Sequence, residues 1–169
     1  NKKRDLLIVV GGGSLPPSMY DRPHEDELQP NRDRMEEQVI HYCVAHGIPI
    51  IATCRGMQYM NVMFGGKLWY HPKLPVTRTR GMDHQVWLVK EQRNIWVNNY
   101  HSDCIYEEGL APCFEPLAID RENHVVEAYG SDEMKILALQ WHPERRFETA
   151  NAYEETRKIV LDFIQKHVK

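Results

Sequence analysis

Three side chains in this sequence have the types and settings for covalent amide chemistry: Cys54, His142 and Glu144. Cys54 follows a short apolar, β-branched run, Ile48-Pro-Ile-Ile-Ala52, that reads as a buried strand. From Met57 the spacing changes, with Met57, Met60 and Phe64 recurring at helical intervals. A strand that turns sharply into a helix with a nucleophile at the corner is a nucleophile elbow, which exposes the side chain at the carboxyl end of a sheet and aims the helix's free N–H groups at it. Gly56, two residues on, lets the backbone crowd into the corner. The helix dipole and those N–H groups predict a lowered thiol pKa and hence more of the attacking thiolate. Taken alone, Cys54 also fits a plain buried cysteine, since free cysteine is among the most buried residue types.

The second chemical centre is Gln140-Trp-His-Pro-Glu144, again after a fully apolar run, Ile136-Leu-Ala-Leu139. A cysteine hydrolase needs a base to take the thiol proton and pass it to the leaving amine, and a third group to orient that base. His142 suits the first task and Glu144 the second, with Pro143 fixing the backbone between them. A capped loop histidine and a solvated carboxylate are the plainer alternatives; the pairing with a cysteine elbow at another strand end weighs against them.

The elements needed to position these groups are legible in order. Leu6-Leu-Ile-Val-Val10 is apolar on both faces, as a central parallel strand would be, and runs into Gly11-Gly-Gly-Ser14. Those glycines permit close backbone approach and can present N–H donors, as half of an oxyanion hole or as a loose turn. No G-x-G-x-x-G or G-K-[ST] follows, so nucleotide-loop readings lose ground. Residues 15–30 read as an exposed, proline-rich loop. Asn31 is the expected N-cap of a helix to about His46 that buries Met35, Val39, Tyr42 and Cys43. Beyond Asn61 come a glycine turn with a short strand to Tyr70, a polar stretch from His71 to His84, and short strands at Val86–Val89, Ile95–Val97, Leu117–Ile119 and Val125–Tyr129. A closing helix spans about Ala150 to Val168, with Tyr153, Thr156, Val160, Phe163 and Ile164 as its apolar stripe. The β-loop-α-β-Cys-α order is a run of parallel βαβ units.

With 169 residues, 42% hydrophobic and 27% charged, the chain is expected to form one soluble domain over 1–169. A net charge of −3 argues against a nucleic-acid partner, and no apolar run approaches membrane-spanning length. The four cysteines show no C-x-x-C spacing, which suits a reducing cytoplasm, and no histidine repeats at zinc-ligand spacing with a cysteine, so no structural metal is expected. The chain starts at Asn1 rather than Met and reaches a core-type strand by Leu6; the expectation is that an N-terminal segment is missing from this sequence.

Cys54-Arg-Gly-Met-Gln58, Asn99-Tyr-His-Ser102 and Gln140-Trp-His-Pro-Glu144, in that order after Val10-Gly-Gly-Gly13, resemble the motifs of class I glutamine amidotransferases. The nearest group is the γ-glutamyl hydrolase type, with Cys-Arg-Gly at the nucleophile. The resemblance runs from Leu6 to about Glu144. It implies an α/β, flavodoxin-like, doubly wound and mostly parallel sheet with a small antiparallel region, and one further strand and helix before Leu6. It also implies a Cys54-His142-Glu144 triad, a γ-glutamyl thioester on Cys54, and an oxyanion hole from the backbone N–H groups of Gly12 or Gly13 and Arg55. Gln58 and the Tyr100-His101-Ser102 backbone would grip the α-amino and α-carboxylate of the glutamyl group, with no metal or organic cofactor.

Arg55 resembles the free-standing hydrolases rather than synthase-linked glutaminases, and this sequence holds no synthase domain. The expected partner is a small-molecule γ-glutamyl substrate; self-association stays open. The alternative is a glutaminase subunit that supplies ammonia to a separate synthase partner. Arg78, Arg80, Arg145 and Arg146 lie in loops, where they could meet phosphates or stand as solvated loop arginines. The compact chain, with Val76-Thr-Arg-Thr-Arg80 before a short hairpin and then Val97-Asn-Asn-Tyr-His101, is also similar to hydrolases of γ-glutamyl-CDP-amidate in capsule biosynthesis, which would make glutamate and cytidine diphosphoramidate the products.

Overall fold

The computed structural model describes residues 5–20, 28–70 and 81–168. Its main sheet has the strand order β1-β2-β9-β8-β7-β4-β5. β1 (Leu7–Val9), β2 (Ile50–Thr53) and β9 (Ile136–Leu139) are adjacent and parallel, with Val9 beside Ala52 and Thr53 beside Leu139. The runs that were apolar on both faces split their side chains between two cores, as strands covered on both sides must. Ile50, Ala52, Ile136 and Ala138 face one core with Met57 and Met60 of α2 (Arg55–Met63) and Ile40 of α1 (Pro30–Ala45). Ile51, Leu137 and Leu139 face the other, against which Val160, Phe163 and Ile164 of α3 (Ala152–His167) pack.

The antiparallel region is wider than the sequence led us to expect and continues the same sheet. β8 (Val125–Ser131) runs antiparallel to β9, β7 (Glu115–Asp120) to β8, and the hairpin β4 (Asp83–Leu88) and β5 (Arg93–Asn98) extends it through β7. Short turns join β4 to β5, β7 to β8 and β8 to β9, so each of these pairs folds back on itself. A separate two-stranded ribbon pairs β3 (Trp69–Tyr70) with β6 (Asp103–Cys104).

Four local expectations need correction. β1 is an edge strand among the described residues, not a central one, and Ile8 and Val10 are more than half exposed. α1 begins with Pro30 at its first position, where the missing N–H costs nothing, so Asn31 is not the cap. That helix buries Asp33, Ile40 and Cys43, while Met35, Val39 and Tyr42 are exposed. Its inward face is set by a buried ion pair with Arg55, described below. Tyr153 of α3 is likewise exposed, although Thr156 below it is fully buried.

The elbow needs glycine at position 56. A Cβ there would lie 2.5 Å from the Val9 carbonyl oxygen and 2.8 Å from Val9 Cγ1, so α2 could not start this close to β1. Gly56→Ala is therefore expected to destabilise the fold by about 1–3 kcal/mol. Urea unfolding would show a lower midpoint at unchanged slope; an unchanged midpoint would mean the elbow has slack.

Candidate active site

The candidate site is built at the carboxyl ends of the three adjacent parallel strands, where ligands bind in open α/β sheets. β1 leads to Gly11, β2 to Cys54 and β9 to His142. Cys54 caps α2 with φ 50° and ψ −110°, a positive-φ conformation that costs an L-residue roughly 1–3 kcal/mol. The surroundings hold it there: its N–H donates to the Leu139 carbonyl at 2.8 Å, and its own carbonyl accepts the Gln58 N–H at 3.1 Å.

Cys54 and His142 both border Gly11. A Cβ placed on that glycine would stand 3.4 Å from His142 Nε2 and 3.6 Å from Cys54 Cβ. His142 Nδ1 lies 2.6 Å from Glu144 Oε1, so Nδ1–H donates to the carboxylate and Nε2 is left as the acceptor toward the cysteine. Asn98, at the end of β5, pins the histidine backbone from both sides. Its Nδ2 donates to the His142 carbonyl at 2.8 Å, and its Oδ1 accepts the His142 N–H at 2.9 Å. Tyr100 packs edge-on to the imidazole with ring centroids 5.6 Å apart, and the Arg145 guanidinium lies 4.5 Å above the Tyr100 ring.

The electrostatics correct one expectation. Burial pushes the Cys54 thiol up to about 11, outweighing the hydrogen bond from the Arg55 backbone N–H and the charge of Arg145; Asp103 and Glu144 add to the rise. The helix start therefore does not produce a resting thiolate, because desolvation of the anion is the larger effect here. Burial also lowers the His142 pKa below its ordinary value, partly offset by Glu144, so imidazole and thiol are both neutral near pH 7. A sulfur of this kind ionises only above neutrality. Alkylation of Cys54 by iodoacetamide, followed on its own peptide by mass spectrometry, is expected to be slow at pH 7 and to rise toward a pKa of about 11. A plateau reached below pH 8 would contradict this.

The other residues singled out in the sequence divide. The Arg55 N–H points to the Cys54 sulfur. Gly12 is exposed and Gly13 half-buried in the loop after β1, with Gly12 against the Arg32 and Arg55 side chains. Gln58 is buried with its Nε2 turned inward, to the Asp103 carbonyl at 3.1 Å and Gln140 Oε1 at 3.2 Å. The His101 ring is also turned inward. Its Nδ1 bonds the Asp103 carbonyl at 2.9 Å, and its Nε2 lies 3.6 Å from Glu127, which faces His84 at 3.4 Å on its other side. Those two histidines hold the fully buried Glu127 carboxyl well below the usual range despite its desolvation. Ser102 and Arg145 are exposed, and Arg78 and Arg80 lie outside the described residues. Among the described residues no group of histidine, cysteine and acidic side chains is arranged to hold a metal ion, and no helix is long and apolar enough to cross a membrane.

Sequence reasoning missed Asn98, the closeness of Gly11 to His142 and the charged residues of α1. Asn98 immediately precedes the Asn99-Tyr-His-Ser102 motif, but its partner is 44 positions away, on a loop from another strand. Asp33, Glu36 and Arg32 pair with Arg55 and the glycine loop, partners 19 to 22 positions away in sequence.

A cysteine at a strained strand–helix corner, facing a carboxylate-held imidazole on a flavodoxin-like sheet, has the architecture of the glutamine amidotransferases. A Thermoplasma acidophilum protein described as part of a GMP synthase shares that fold, with a TM-score of 0.65 at 22% identity over 96% of this chain and 72% of its own. The chain belongs to the peptidase C26 family, whose model matches residues 2–144. Among its relatives, the glutamine amidotransferase-like protein YvdE of Lactococcus lactis is 29% identical over 86% of this chain and 68% of its own length. The γ-glutamyl-γ-aminobutyrate hydrolase PuuD of Escherichia coli is 28% identical over 84% of this chain. This chain spans 65% of PuuD.

Proposed function

We propose that the protein hydrolyses the side-chain amide of a γ-glutamyl conjugate, releasing glutamate and an amine, and that residues 1–169 act as one glutamine amidotransferase-like domain. The observation that carries this reading is that Cys54 and the Glu144-held His142 border the same glycine, Gly11. As Cys54 Sγ attacks the γ-carbonyl carbon, His142 Nε2 takes the thiol proton, which suits a pair that is neutral at rest. The oxyanion forms against the Arg55 N–H and the glycine loop. The proton then passes to the amine nitrogen, the C–N bond breaks, and a γ-glutamyl thioester remains on Cys54. Water attacks that thioester with His142 again as base; the thiolate leaves and regains its proton from His142, and glutamate departs. Glu144 keeps the imidazole in the required tautomer throughout.

Gln58 and His101 support the glutamyl pocket by bracing its walls, and the Tyr100–Ser102 backbone is left to grip the α-amino and α-carboxylate groups. Arg145 favours an anionic leaving amine, being exposed at the site and stacked on Tyr100. γ-Glutamyl-CDP-amidate and γ-glutamyl-γ-aminobutyrate both meet that requirement, and the first is the favoured substrate. Glutamate release should be measured from both, from a γ-glutamyl amine with a neutral tail, and from glutamine. Cleavage of an anionic conjugate well above glutamine supports the reading. Slow reaction with glutamine alone would replace it with a glutaminase that needs a synthase partner.

A further inference from the structure

Arg55 follows the nucleophile directly, yet its side chain is 1% exposed and its guanidinium is taken up by carboxylates of α1. It enters a charged bridge that reaches the opposite wall. Arg55 Nη1 donates to Glu36 Oε2 at 2.7 Å, and its Nη2 pairs with buried Asp33. The other oxygen of Glu36 accepts Arg32 Nε at 2.7 Å. The Arg32 guanidinium then closes on the backbone after β1, with Nη2 to the Val10 carbonyl at 2.6 Å and Nη1 to the Gly11 carbonyl and Gln29 Oε1, each at 3.0 Å.

We infer that Arg32 and Glu36 are positioning residues that set the two halves of the oxyanion site against each other. Glu36 is the shared acceptor: one oxygen fixes the arginine whose backbone N–H meets the cysteine sulfur, and the other fixes the arginine that grips the glycine loop. A carboxylate and two guanidinium forks give this bridge directional bonds as well as charge. The glycine loop has no side chains of its own with which to hold a conformation, so the grip on its two carbonyls supplies what its sequence lacks. The effect on turnover rests on the hydrolase reading above; the effect on the loop does not.

Arg32→Lys and Glu36→Gln test this by hydrogen exchange and single-turnover kinetics on the full chain. Lysine keeps the charge of Arg32 but has one nitrogen in place of the fork that spans both carbonyls. Amide exchange in residues 11–14 should accelerate about tenfold while β9 stays protected. Acylation by a γ-glutamyl amide should slow by about ten- to a hundredfold with KM nearly unchanged, because misplaced donors weaken the transition state rather than the bound substrate. Unchanged exchange in residues 11–14 would overturn the clamp. So would an equal rise in β9, which would mark a merely structural role, or faster loop exchange with undiminished acylation. A wild-type protein inert to every γ-glutamyl amide would instead overturn the reaction, and is seen before any variant is made.

Discussion

Cys54→Ala is expected to release glutamate at least about 10⁴-fold more slowly than the wild-type protein, with the conjugate still binding. The size of the effect follows from covalent catalysis: without sulfur there is no thioester, and only the oxyanion donors and the positioned imidazole remain to help water. Binding should survive because the residues proposed to hold the glutamyl group do not depend on the thiol. Cys54 is 8% exposed, and the thiol fills little space, so alanine leaves the elbow's backbone bonds to Leu139 and Gln58 in place. Two measurements separate chemistry from folding. Quenched wild-type protein should carry a glutamyl adduct on the Cys54 peptide during turnover, and the alanine variant should carry none while unfolding at a similar temperature. Retention of more than a tenth of the rate would remove Cys54 from the reaction.

The parts of the fold that make the site were legible because they are the parts that obey simple periodicity. Ile50–Thr53 and Ile136–Leu139 are buried on both faces and therefore read as continuous apolar runs. The switch to helical spacing at Met57 marks the elbow, and the chemistry-bearing residues fall just past each strand end. What the sequence did not disclose depends on long-range docking. Asn98 can pin His142 only because β5 and the loop after β9 end side by side. Arg55 reaches Asp33 and Glu36 across 22 and 19 positions, and that pairing turns α1 so that its apolar Met35 and Tyr42 face outward. The Cys54 pKa was misjudged for a related reason. A helix N-terminus is visible in sequence, whereas the depth of burial that outweighs it is a property of the packed site.

Gly11→Ala tests how tightly that packing holds the base, and it should lower kcat by about 10²–10³-fold while leaving KM and stability much less affected. A methyl group on Gly11 would stand 2.7 Å from His142 Cε1, inside van der Waals contact, so either the loop or the imidazole must give way. The imidazole has few places to go. Its backbone is held by two bonds from Asn98, its Nδ1 by Glu144 at 2.6 Å, and its face by the edge of Tyr100, and the residue is only 3% exposed. Any tilt that clears the methyl group lengthens the bond to Glu144 and turns Nε2 away from the sulfur. Glu144 is what raises the His142 pKa against the lowering effect of burial. Weakening that bond should therefore shift the acid limb of kcat/KM to lower pH, because the base stays neutral further into acid, even as the plateau falls. The pH profile thus distinguishes a displaced imidazole from a displaced loop, which would lower the plateau and leave the limb in place. Full activity in Gly11→Ala would show that the packing at this glycine does not hold the base in place.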